Sequence, residues 1–170
     1  AYGCLRAAMW LMPDGAHYWL LPIAIATLIN AVYGATIAMT QRDFKFMIGY
    51  SSVSHMGLVV MGLAAGNEIG LIGAVLQMFA HGVMTALFFA VVGRMVYGRT
   101  HTRQFPELGG MAKIMPFAAF VFVLAGLSSM GMPGFSGFPA ELTILVGSRK
   151  SSPVAATFAA GGVLIAAAFT

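Results

Sequence analysis

A single cysteine, Cys4, leaves the chain without a disulfide framework or a paired-cysteine metal motif and gives no reason to place it in an oxidising compartment. Charge is almost as scarce. Charged residues make up 8% of the 170, against about a quarter in ordinary soluble proteins, so a water-facing surface cannot be assembled from them. Also missing are a phosphate-cradling glycine loop, a nucleophile elbow, a metal-ligand cluster and a dinucleotide fingerprint, which argues against an autonomous enzyme; no cofactor and no metal are expected. What fills the chain instead is apolar: 59% hydrophobic residues and a mean hydropathy of +0.88 make a lipid bilayer the natural solvent. The net charge of +4 comes in short clusters between apolar runs, where it reads as a topology signal and not as a nucleic-acid surface.

Along the chain, residues 1–12 read as the last turns of a helix stopped by Pro13, Asp14 and Gly15, with Trp10, Tyr18 and Trp19 suited to a membrane interface. Spans are expected over 20–40, 44–64 and 69–97. The second is interrupted by Ser51, Ser52, Ser54 and His55, and only Ala65 to Glu68 separates it from the third, room for no more than a tight return. Residues 113–148 are too long for one span and too short for two with a loop. Their middle reads GMPGFSGFP, in which Pro133 and Gly134 break the helix without a charged residue to mark an exit to water. Two half-helices with an unwound segment buried in protein are predicted there, since such backbone is tolerated only where protein or a polar cavity surrounds it. A last apolar run begins at 153, and both ends look truncated, as expected of a fragment of a longer protein. Arg42 and Lys45 in the first loop, and Arg94, Arg99, Arg103 and Lys113 around the third, put these loops on the positive, cytoplasmic or matrix side; Arg149 and Lys150 run against the rule.

Ionisable side chains at bilayer depth are costly and are functional candidates by default. Three stand out: His55, His81 and Glu141. Gly73, Gln77, His81 and Thr85 recur at four-residue steps and form a polar stripe on one helical face, while Lys45 and Ser52 fall on a face similar to that of His55. Two such stripes on antiparallel neighbours can carry a file of water, and imidazole accepts and releases protons near neutral pH. The competing role for a single histidine is an interhelical hydrogen bond worth about 1 kcal/mol, and for the serines it is close helix packing. Glu141 is harder to assign to packing, because an ionised carboxylate in hydrocarbon costs several kcal/mol.

The strings QRDFKFMIGYSSVSHMG, GAVLQMFAHG, ALFF, HTR and GMPGFSGFPAEL occur in an order that resembles the antiporter-like proton-channel subunits of respiratory complex I over nearly the whole chain. The resemblance implies an all-α polytopic transmembrane bundle: one five-helix inverted repeat with a discontinuous helix, residues 20–170 being the second repeat and 1–12 the end of the helix before it. It implies proton transport within a complex that couples NADH oxidation by quinone to proton export, with neither NADH nor quinone bound by this subunit. Partners would be the other membrane-arm subunits and the lipid of a bacterial cytoplasmic or mitochondrial inner membrane. Sibling subunits and Mrp-type antiporter subunits commonly carry Lys after the broken-helix motif. Glu141 at that place points to the M-type subunits and away from an Mrp-type cation/proton antiporter or an energy-converting hydrogenase subunit. By carry-over His55 and His81 are relay histidines and Glu141 gates the exit side; Lys45, from its place on the face of His55, is the further proton-relay candidate. Two departures are Phe46 where many relatives have Arg, and Pro139 with Ala140 ahead of the glutamate.

Overall fold

The computed structural model describes residues 1–151, 157, 160, 161 and 163. Among them the chain is helical and holds no strand, as an all-α membrane bundle requires. Three helices are long and apolar enough to cross a bilayer: α1 (Pro13–Thr40), α2 (Phe44–Ala64) and α3 (Glu68–Thr100), the last widening to π geometry over Ala90–Val96. Two shorter helices follow, α4 (Pro116–Ser129) and α5 (Gly137–Ser151). The run expected from 153 onward lies almost wholly outside the described residues.

Pro13, Asp14 and Gly15 are not a loop; they form the first turn of α1, and the break falls at Met12. Proline is tolerated there because a first-turn N–H has no intrahelical partner, and Asp14 complements the positive end of the helix dipole. The first span therefore starts well before Leu20. The return between α2 and α3 is as tight as expected: Gly66 takes a positive φ of 64°, and the Asn67 side chain caps α3 by accepting from Gly70 N at 2.8 Å.

Small residues hold the helices together, as they must where lipid is as apolar as leucine and only close approach is rewarded. The face that α1 buries is Thr27, Ala31, Gly34, Ala35 and Ala38, while Leu21, Ile25, Ile29 and Tyr33 stay exposed on the others. Ser54 Oγ donates across this seam to Ala31 O at 2.8 Å, the packing role foreseen for the serine run. A second seam joins α3 to α5, with Gly70 and Gly73 backed by Ile144 and Gly147.

On the basic side, Asp43 ties the α1–α2 turn to the loop after α3. Its carboxylate accepts from Lys45 N at 2.7 Å, capping α2, and lies 3.6 Å from Arg103 Nε and 3.4 Å from Gln104 Nε2. Phe44 N donates to Arg103 O and Phe105 N to Arg42 O, so the two loops zip together. We expect Asp43→Ala to lower stability in detergent by about 1–2 kcal/mol through loss of the cap. Arg103→Ala removes only a partly solvated pair and should cost less than about 1 kcal/mol, which denaturant titration of both variants will check.

The discontinuous helix is present as predicted. With 14 residues, α4 rises only about 21 Å, short of a hydrocarbon core of about 30 Å, before the chain breaks and resumes as α5. Gly131, at φ 65°, ends α4: Gly131 N donates to Ser128 O and Met132 N to Leu127 O, the paired bonds of a Schellman cap. Pro133 and Gly134 (φ 105°) then turn the chain, and Phe135 N and Phe138 N close it onto α5. These bonds satisfy backbone that the bilayer could not.

Candidate functional site

Where α2, α3 and α5 meet at the helix break, a polar cluster is enclosed. His55 is 1% exposed, Gln77 2% and Glu141 6%, so these groups are withdrawn from lipid and bulk water alike. Each arrives by a simple local reason. His55 lies on the α2 face that also buries Ser51 and Leu58, one turn away on either side. Gln77 follows Gly70, Gly73 and Ala74 on the α3 seam, where the absence of bulk lets α5 come close. Glu141 sits in the second turn of α5, just past the break.

The contacts form a continuous line. His55 and His81 have ring centroids 5.3 Å apart, tilted by 44°. His81, half-buried, is held by Thr85 Oγ1 one turn along, 3.2 Å from its Nε2. Gln77 Nε2 is 3.4 Å from both His55 Nδ1 and Glu141 Oε1, and those two atoms are themselves 3.8 Å apart. On its far side His55 Nε2 meets Ser129 Oγ at 3.4 Å. The line thus runs Thr85, His81, His55, Gln77, Glu141, with Ser129 as a branch onto the broken helix.

Five of the residues named from sequence are brought together: His55, His81, Glu141, Gln77 and Thr85. Lys45 is not. It is exposed in the first turn of α2, ten residues and so about 15 Å along the axis from His55. Ser52 is half-buried outside the cluster and forms no hydrogen bond through its side chain among the described residues. Pro133 and Gly134 shape the break, and Gly73 serves as a contact surface for α5.

Ser129 and Gly131 were not foreseen. A Cβ built on Gly131 would collide with Glu141 Oε2 and stand 3.1 Å from its Cδ, so the carboxylate rests against bare backbone. The clue in the sequence was the glycine two residues ahead of Pro133, which in retrospect marks a close approach as well as a turn.

A cavity of about 410 Å³ opens on the basic side, lined by Gln41, Arg42, Met47, Phe88, Phe122 and Gly126 among others. Gly126 is one turn of α4 from Ser129.

Fold and site define a polytopic α-helical membrane protein with a buried polar axis crossing a broken helix. Residues 1–169 match the family described as NADH:quinone oxidoreductase/Mrp antiporter, TM, and the chain belongs to that family. Among curated relatives, the NAD(P)H-quinone oxidoreductase chain 4 1 of Synechococcus sp. (strain JA-2-3B'a(2-13)) is 41% identical over 166 residues, 98% of this chain and 31% of the relative. NADH-quinone oxidoreductase subunit M of Rickettsia prowazekii (strain Madrid E) is 38% identical, over 99% of this chain and 34% of its own length. Among solved structures, a chain of respiratory complex I from Thermus thermophilus with bound NADH superposes with a TM-score of 0.94 at 33% identity, over 99% of this chain and 36% of that one. The Mrp complex from Dietzia sp. DQ12-45-1b shares the fold with a TM-score of 0.86 at 24% identity, over 92% of this chain and 29% of that one. The chain spans about a third of the length of the curated relatives it matches.

Proposed function

We propose that this chain is the part of a complex I M-type subunit that carries protons from the membrane interior toward the exit side. The observation that carries the reading is the run of polar groups from Thr85 to Glu141 over α3, α2 and α5, in which the two imidazole rings lie 5.3 Å apart by centroid and the other neighbours lie within 3.4 Å. Histidine can receive and release a proton, and glutamate beside a helix break can exchange one with whichever cavity that break faces. Glu141 in the place of the sibling subunits' lysine favours the M type. We read residues 20–170 as a second five-helix repeat, assembled with other membrane-arm subunits in a bacterial cytoplasmic or mitochondrial inner membrane.

The full-length subunit in its assembled complex, reconstituted in vesicles, tests this. His81→Ala should leave the complex assembled and oxidising NADH, while protons moved per NADH fall and conduction through this subunit drops about a hundredfold. Normal pumping by an assembled His81→Ala complex would remove His81 from the relay. Cation-driven transport by the subunit without its redox partner would favour an antiporter.

A further inference from the structure

Gln77 reaches two titratable groups with one amide. Its Nε2 is 3.4 Å from His55 Nδ1 and 3.4 Å from Glu141 Oε1, whereas its Oε1 is buried with no hydrogen-bond partner among the described residues. The two groups it bridges are 3.8 Å apart, beyond an ordinary direct hydrogen bond. Amide oxygen and nitrogen occupy almost the same space, so a half-turn about the terminal bond exchanges a double donor for an acceptor without repacking.

Each orientation suits a different proton count. With the N–H groups facing the pair, His55 Nδ1 and Glu141 Oε1 must both be bare acceptors, so neither atom facing the amide carries a proton. The imidazole proton then resides on Nε2, toward Ser129 Oγ at 3.4 Å. With the carbonyl facing the pair, a proton must sit on His55 Nδ1 or on the Glu141 carboxyl, because an acceptor needs a donor opposite. A proton arriving on either facing atom would meet an N–H donor, and that donor–donor conflict gives the amide a reason to turn its oxygen toward the pair.

Resting on the relay reading above, we propose that Gln77 is a positioning residue whose amide half-turn distinguishes the empty His55–Glu141 pair from the loaded one. No bond of Gln77 is made or broken. The proton arrives from His81 on His55, or leaves from Glu141, and the amide presents its acceptor face while the pair holds that proton and its donor face once the proton has gone. The amide thereby fixes the His55 tautomer and with it the direction in which the ring can next take up a proton.

The test uses the full-length subunit in its assembled complex. Gln77→Met keeps length and volume but removes donor and acceptor together. Two results are expected jointly: conduction through the subunit falls roughly tenfold or more, and in infrared difference spectra the protonated carboxyl band of Glu141 moves to higher wavenumber as its hydrogen bond is lost. Normal conduction, or lost conduction with the Glu141 band unmoved, overturns the proposal, the latter because a mere packing role would act in that way. If Gln77→Met fails to assemble, Gln77→Asn asks the same question, since it keeps the amide but draws it back by about 1.5 Å; lost conduction with a moved band supports the switch and normal conduction overturns it. Glu141→Gln is measured alongside. If Glu141→Gln pumps normally the relay reading itself falls, whereas a silent Glu141→Gln beside a normal Gln77→Met removes the Gln77 switch alone.

Discussion

Replacing Glu141 with Gln in the full-length subunit is expected to leave an assembled complex whose proton yield per NADH is reduced, with conduction through this subunit down about a hundredfold or more. The substitution preserves shape. A glutamine at 141 fills the same volume, still offers Gln77 an oxygen at the position of Oε1, and still lies against Gly131, so the break and the α3–α5 seam have no reason to move. What disappears is the only acidic side chain in the cluster and the one group there able to switch between carboxylate and carboxyl. Glu141→Asp sharpens the comparison: it keeps the acid but withdraws it by about 1.5 Å from Gln77, which should give a partial loss. Proton yield per NADH in vesicles, with assembly checked by native electrophoresis, decides between outcomes. An unchanged yield for Glu141→Gln would take the exit role from this residue.

Much of this arrangement was legible in the sequence, for a reason that also explains what was not. Ionisable groups in hydrocarbon are so expensive that His55, His81 and Glu141 could be singled out by type and depth alone. Gln77 and Thr85 followed from the four-residue spacing that stacks side chains on one helix face. The break followed from Pro133 and Gly134 in a stretch with no charge to mark an exit. Periodicity assigns a face but not a depth, and this is why Lys45 was grouped with His55 although about 15 Å of helix separates them. It also placed Ser52 on the polar stripe, whereas Ser54, on the neighbouring face, is the serine that bonds across a helix seam. Ser129 and Gly131 gain their meaning only when α4 ends against α2 and α5, a tertiary fact that no local pattern carries. The N-terminal turn shows the same limit in reverse: Pro13 and Gly15 look like a stop, yet the chain enters α1 there because proline costs nothing at a helix start.

The seam between α3 and α5 yields the other large expectation, Gly73→Val. A Cβ at residue 73 would stand 2.7 Å from Ile144 N, 2.9 Å from its Cγ1 and 3.1 Å from Thr143 C, and valine adds two methyl groups beyond that. Backbone cannot yield as a flexible side chain does, so α5 must shift bodily; overpacking of this kind costs about 1–3 kcal/mol. The shift is carried to residue 141, three residues before Ile144, and opens the 3.4 Å contact between Gln77 and Glu141. The variant should therefore be both less stable in detergent and deficient in proton conduction, although residue 73 itself bears no proton. Gly82→Ala provides the contrast on the same helix. Among the described residues no atom beyond the helix's own backbone and the chain neighbours lies within 4 Å of a Cβ placed there, so stability should rise by about 0.5–1 kcal/mol from alanine's better helix propensity, and pumping should be normal. If Gly73→Val pumped as well as Gly82→Ala, close approach of α3 and α5 would not be what holds the carboxylate in the relay.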